Sequence, residues 1–270
     1  MSLNGLQKLS HNPVARSIVR KLGVSNAAQQ IYYRIMHRGV TARFDQYGEE
    51  VRFVCREVED LRSLEQWVLE PALGRLLRMA TKDDVALDVG ANRGVYSMFL
   101  AKKVRQVVAC EPEKRTAKEF LENIALNRLC NCSLINKALG DTTSEANLYV
   151  ENSIGTMRLG AVAHPNEKRE VQRVEVVRGD DLVDRQLLPQ PTVIKIDVEG
   201  FEGAVLRGLE RTLRHVRLVL CEIHPNELPA GDSMDGILQL LKRAGLEIVL
   251  REPRSPEVHV FAARPAGRID

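Results

Sequence analysis

Two stretches of this chain carry residue types whose spacing could do chemistry. In "LDVGANRGVYS", Leu87 to Ser97, Asp88 stands just before a bare loop of Gly90, Asn92 and Gly94. In "VIKIDVEGFEGAVLRGLE", Lys195, Asp197 and Glu199 alternate, and alternate side chains of a strand share a face. A lysine and two carboxylates at the end of a central strand cost desolvation unless they pair or bind something. A third apolar run ends in Glu222 and His224 flanking Ile223. Carboxylates and imidazoles in such positions can move protons, and a neighbouring lysine can orient them or stabilise developing negative charge.

The glycine loop narrows the ligand. A dinucleotide fingerprint reads G-x-G-x-x-G, but Asn92 occupies the middle position, and the lysine of a phosphate-binding P-loop is missing. A carboxylate aimed at the loop suits a ligand that carries a cation. S-adenosylmethionine has an ammonium and a sulfonium, and its close approach to the backbone would account for the glycines. Glu111 follows at the end of the next apolar run, where an acid can accept both ribose hydroxyl protons; NAD sites use an acid there too.

Elements must position these residues. From Asp84 onward, short apolar runs and amphipathic helices alternate, the pattern of a parallel sheet covered on both faces. Strands are expected at "VALDV", "QVVACEP", "CSLINKAL", "TVIKIDV" and "VRLVLCEI", with "LEIVLRE" and "EVHVFAARP" as a terminal antiparallel pair. The expected fold is α/β and Rossmann-like, a mostly parallel seven-stranded sheet with ligands at the carboxyl ends of its strands. Two further strands, "EANLYV" and "QRVEVV", fall in a less regular stretch. Helices are expected over Val95–Lys103, Glu113–Asn127, Phe201–Leu213 and Met234–Ala244. Upstream, one helix is expected from Ser63, as N-cap, to Met79, preceded by a hairpin turning at Tyr47-Gly48 and two short amphipathic helices between Asn12 and His37. The division is residues 1–60, a basic helical extension with a hairpin, and 61–270, the ligand-binding domain.

Composition sets outer limits. With 44% hydrophobic and 28% charged residues, the chain reads as a soluble globular protein. No apolar run approaches the roughly 20 residues of a membrane span, and no signal-peptide core follows Met1, so a cytoplasmic location is expected. Five scattered cysteines, with Cys130 and Cys132 as a lone C-x-C, read as free thiols rather than a zinc site. Residues 1–40 hold six of the 39 Lys and Arg and none of the 36 Asp and Glu, which leaves the rest at −3. Such an arm suits a solvated helical cap, an anionic membrane surface, nucleic acid or an acidic partner, and in composition resembles a transit peptide.

Taken together, "LDVGANRGVYS", "CEPEKRTAKEFLENIALN", "KALGD", "NSIGTMRL", "IKIDVEGFEGAVLRGL" and "LVLCEIHP" resemble, in order, the FkbM-type family of class I S-adenosylmethionine-dependent methyltransferases, over roughly residues 60 to 225. The resemblance implies methyl transfer to a hydroxyl of a sugar, glycan, glycolipid or polyketide-type acceptor; whether the chain forms a homo-oligomer stays open in the sequence. It implies that Asp88, Gly90, Asn92 and Gly94 hold the methionine part of the cofactor and Glu111 its ribose. Ala138, Leu139 and Asp141 would lie beside the adenine.

Asp197 is the first candidate base, beside the expected sulfonium end, with Lys195 orienting it and Glu222 and His224 as alternatives. A divalent metal on Asp197, Glu222 and His224 is possible in ligand type but not expected, because the spacing is not diagnostic. Asn152, Ser153 and Thr156 are candidates for the acceptor pocket. Two departures from the family's pattern stand out: Arg93 in the loop, and "VVRGDDL", which leaves the role of Asp180 open. The competing readings are a nucleic-acid methyltransferase, for which 4% aromatics offer few stacking platforms, and a non-catalytic cofactor-binding protein.

Overall fold

A computed structural model describes residues 40–150, 157–159 and 170–265 of the chain. The two helices expected between Asn12 and His37, most of the basic arm, and Asn152, Ser153 and Thr156 lie outside the described residues.

Val40–Gln46 (β1) and Glu49–Cys55 (β2) pair antiparallel around Tyr47 and Gly48. Both turn residues have positive φ, 57° and 81°, the backbone that a tight hairpin requires. Val40, Ala42, Val51, Phe53 and Cys55 bury one face. Helix α1 (Val58–Val68) follows, and the Tyr47 hydroxyl donates to the Val68 carbonyl at 2.9 Å. The cap differs from the expected one. Asp60 accepts from the Arg56 and Glu57 amides at the helix start, and Ser63 lies inside it, donating to the Glu59 carbonyl. The expected single helix is also two, because Pro71 opens α2 (Pro71–Met79); proline has no N–H to continue a preceding helix. The hairpin and α1 belong to a compact unit that ends at Leu69, against an expected boundary at 60.

The second unit, from Glu70, carries the alternating pattern. It contains β3 (Val85–Val89), α3 (Val95–Ala101), β4 (Gln106–Cys110), α4 (Lys114–Asn127) and β5 (Cys132–Ile135). Then come β6 (Ala138–Leu139), β7 (Ser144–Val150), β8 (Met157–Leu159), β9 (Glu170–Val177) and α5 (Gly179–Asp184). The remainder is β10 (Val193–Ile196), α6 (Glu202–Gly208), β11 (Leu218–Ile223), α7 (Met234–Arg243), β12 (Glu247–Arg254) and β13 (Glu257–Ala263). The main sheet has seven strands in the order β12-β13-β11-β10-β3-β4-β5, with β13 running against both neighbours. It is a Rossmann-like α/β sheet. Its direction of winding reverses at β3, with β4 on one side and β10 on the other, which opens a crevice at their carboxyl ends.

The expected strand over 132–139 is broken at Asn136. Its side-chain amide donates to the Glu111 and Pro112 carbonyls at 2.7 and 3.1 Å and pins the chain out of the main sheet. Beyond it, β6 pairs with β9 in a second sheet, ordered β6-β9-β7-β8. Helix α6 is also shorter than expected. At Gly208 a Cβ would lie 1.9 Å from the Gly140 carbonyl oxygen, and the chain re-forms as a 3-10 turn at Thr212–His215. Asp180 accepts from the Arg211 and Thr212 amides and the Thr212 hydroxyl, which ties α5 to that turn and gives this residue a structural role. No helix among the described residues is long and apolar enough to cross a membrane.

Candidate active site

At the carboxyl end of β3, Gly90 has φ +73°, and a Cβ there would lie 1.8 Å from the Asp197 carbonyl oxygen. Gly94 has φ +89°, and its Cβ would meet the Phe120 ring at 2.7 Å. The protein's own packing therefore demands both glycines. Asn92 takes a left-handed turn, φ 51°, and its side chain accepts from the Arg93 amide. The loop tolerates Arg93 because its guanidinium pairs with Glu119 at 3.0 Å and its carbonyl accepts from Asn123.

The crevice forms an open cleft. Gly90, Asn92 and Glu111 line it from the ends of β3 and β4, Ala138, Leu139 and Leu148 from the second sheet, and Asp197 and Glu199 from beyond β10. Glu111 is buried, with one carboxylate oxygen accepting from the Asn92 amide at 2.9 Å and the other from the Glu113 amide at 2.8 Å. Burial pushes its carboxyl up to about 7, against the two amide bonds. Three residues expected at the cofactor are not among the cleft-lining residues. Asp88 is fully buried, accepting from the Ser97 hydroxyl at 2.6 Å and facing the Lys195 ammonium at 3.5 Å. Gly94 lies against Phe120, and Asp141 pairs with Arg207 at 2.9 Å. Leu148 was not singled out by the sequence; alternation in "EANLYV" marks it as inward-facing but not as part of this wall.

Lys195 is buried among acceptors, with its Nζ 3.1 Å from the Gly90 carbonyl oxygen and 3.2 Å from Asp197 Oδ2. It also stands 5.1 Å over the Tyr96 ring. Burial alone would lower its pKa, but Asp197 and Asp88 outweigh it and hold the ammonium above its ordinary value, so Lys195 is a fixed cation. Burial, aided by Glu222, raises the Asp197 carboxyl, against the pull of Lys195 and His224. A base tuned upward takes a proton more readily.

Glu222 is occupied elsewhere. It lies opposite His259 in the β11–β13 register, 3.1 Å from that ring, and accepts from Arg254 at 3.0 Å. Burial would raise it, yet the His259 bond and the nearby cations bring it down to about 2, which makes it a poor base. His224 sets Nδ1 2.8 Å from Glu202, while Nε2 faces Glu199 at 3.5 Å and Asp197 at 3.8 Å. Against the effect of burial, Glu202 and the other carboxylates raise it to about 9. The metal-ligand triple read from the sequence is therefore not assembled: Asp197 and His224 meet Glu199, and Glu222 meets Glu70 and His259. The register on β13 sets Glu222 opposite His259 and so engages it away from Asp197.

The profile of the methyltransferase FkbM domain matches residues 88–248, which contain the whole of this cleft. The chain belongs to the FkbM methyltransferase family. As a member of that family it is an enzyme that transfers methyl groups. Hexuronic acid methyltransferase AglP of Haloferax volcanii is 29% identical to it over 221 residues, 80% of this chain and 86% of AglP. 2-O-methyltransferase NoeI of Sinorhizobium fredii is 30% identical over 196 residues, 66% of this chain and 79% of NoeI. The structure of methyltransferase FkbM from Methylobacillus flagellatus KT covers 76% of this chain and 59% of its own, with 16% identity and a TM-score of 0.47.

Proposed function

We propose that this FkbM methyltransferase is S-adenosylmethionine-dependent and methylates a hydroxyl oxygen of a sugar or glycan. The observation that carries the cofactor reading is the chemistry of the cleft wall. Its acids are Glu111, Asp197 and Glu199, its apolar face is Ala138, Leu139 and Leu148, and its lysine, Lys137, is engaged with Glu175. A diphosphate would be repelled by that set, whereas an organic cation with an aromatic base fits it. Glu111 would accept from the ribose hydroxyls, the apolar residues would cover the adenine, and Gly90 and Asn92 would face the methionine end. S-adenosylmethionine, when bound, supplies an electrophilic methyl group.

The protein's own contribution is positioning and proton management. Asp197 accepts the proton of the acceptor hydroxyl. Lys195 bonds one oxygen of Asp197 and the Gly90 carbonyl, so it fixes the base relative to the cofactor loop. Asp88, held by Ser97, balances the lysine from behind. The sugar acceptor is favoured by the similarity to a hexuronic acid methyltransferase and a 2-O-methyltransferase.

Calorimetric titration of S-adenosylmethionine, and separately of NAD, into wild type and Glu111→Gln tests the cofactor. Micromolar binding of the first, weakened at least tenfold in the variant, is expected. Binding of NAD in its place would sink the reading. Transfer of labelled methyl groups to uronic-acid glycosides, assayed against neutral glycosides and RNA, then tests the acceptor.

A further inference from the structure

We propose that Asp197, Glu199 and His224 form a divalent-cation site at the acceptor edge of the cleft. The His224 side chain is 7% exposed, and its Nε2 is aimed at two carboxylate oxygens, Glu199 Oε2 at 3.5 Å and Asp197 Oδ1 at 3.8 Å. Those separations lie at or beyond the limit of a hydrogen bond. They exceed by a few tenths of an ångström the spacing of ligands on one ion: two atoms each about 2.1 Å from a metal lie roughly 3.0–3.4 Å apart at octahedral or tetrahedral angles, so a small closure brings them into range.

The surroundings are built in the same sense. Glu202 is fully buried and accepts from His224 Nδ1 at 2.8 Å, the carboxylate support that presents the opposite nitrogen of a ligating histidine. Lys195 occupies Asp197 Oδ2, which leaves Oδ1 turned to the histidine. The backbone contributes too: left-handed turns at Glu199 and Gly200, φ 53° and 102°, bring Glu199 back toward the end of β11.

Place and charge give the site a purpose. Glu199 lines the main cleft and also, with His224, a second open pocket whose lining includes Glu227 and Glu257. The trio thus marks the junction between the proposed cofactor cleft and an adjoining acidic space. One nitrogen and two carboxylates suit manganese, cobalt or zinc, with positions left for the oxygens of a polyol or uronic-acid acceptor. The cation would offset the acids and orient the acceptor hydroxyl beside Asp197. That use rests on the acceptor reading above, whereas the binding itself does not.

The first test needs no cofactor. The chelator-stripped full chain is titrated with manganese chloride and the free-ion electron paramagnetic resonance signal is followed. One site tighter than about 100 μM is expected, a dissociation constant tenfold below the millimolar range. It should weaken at least tenfold in Glu199→Gln and His224→Ala and stay unchanged in Glu257→Gln. Circular dichroism of each variant separates lost ligation from lost folding, and Glu199→Gln, a near-isosteric change at a half-buried position, remains informative if His224→Ala does not fold. Absence of binding below millimolar in folded wild type, or equal binding in the Glu199 variant, overturns the site. Calorimetry of S-adenosylmethionine on the stripped protein separates the two proposals, because cofactor binding there upholds the methyltransferase reading whatever the fate of the metal.

Discussion

At the residue scale, Lys195 and its three acceptors form the least replaceable unit. Removing the lysine leaves Asp88 and Asp197 without their shared counter-charge, Asp88 in full burial. Lys195→Met should cost about 3–5 kcal/mol, the usual penalty for breaking a buried pair on one side. Urea unfolding measures it, and Asp88→Asn added to Lys195→Met should recover part of the loss. Asp197→Asn is a different perturbation. It keeps the shape and removes the base, so kcat should fall about 10²–10⁴-fold, well beyond any rise in the cofactor dissociation constant. Glu111 gives a pH dependence. Burial holds its carboxyl at about 7, and only its ionised form accepts from two hydroxyls, so cofactor affinity should rise from pH 6 to pH 8 and level off above. The profile should flatten in Glu111→Gln; a wild-type profile without that rise would remove Glu111 from the ribose.

At the scale of elements, the joint between β3 and β10 is set by backbone touching backbone. Gly90→Ala adds a Cβ 1.8 Å from the Asp197 carbonyl oxygen at a left-handed φ. Strain and overpacking together should cost at least about 2 kcal/mol, a fall of roughly 4–8 °C in Tm for a domain of this size. The same joint explains what could be read in the sequence. The places of Asp88, Gly90, Lys195 and Asp197 at strand ends are legible because a strand's end fixes its residues locally, whereas the burial of Asp88 away from the cleft depends on Ser97 and Lys195 and is not. The break at Asn136 was not, because its cause is a bond to the Glu111 backbone, distant in sequence. Glu199 could not be told from Glu222 as the partner of Asp197 and His224, since strand periodicity stops at Ile196 and a left-handed turn then redirects the chain. Pro71 did carry its own signal, and the helix break there comes from the missing N–H alone.

At the scale of the whole second unit, the two ends of the main sheet do different work. Opposite the cleft, Asp84 accepts from Thr192 at 2.7 Å and from Arg217 Nε at 2.8 Å, clasping the amino ends of β3, β10 and β11. Burial would raise the Asp84 carboxyl, but the Arg217, Thr192 and Thr81 bonds outweigh it and hold it below its ordinary value. A carboxyl depressed in the folded state contributes stability that is present above about pH 4, its unfolded value, and is lost as pH falls through the folded one. Asp84→Asn should therefore lower Tm at pH 7, with the gap to wild type closing in acid. Cofactor affinity should stay unchanged, which calorimetry on the same variant checks.

The second sheet has a consequence for how such an enzyme can diversify. Ala138, Leu139 and Leu148 on its strands supply an apolar part of the cleft wall, while the cleft's carboxylates lie beyond the ends of β4 and β10. Contour and reactivity are thus written in separate blocks of sequence. Drift, or a designer grafting a new β7–β9 meander, can reshape the cavity while the proton-handling residues keep their inheritance. The fit to the cofactor's base can therefore be adjusted without touching the groups that handle the proton.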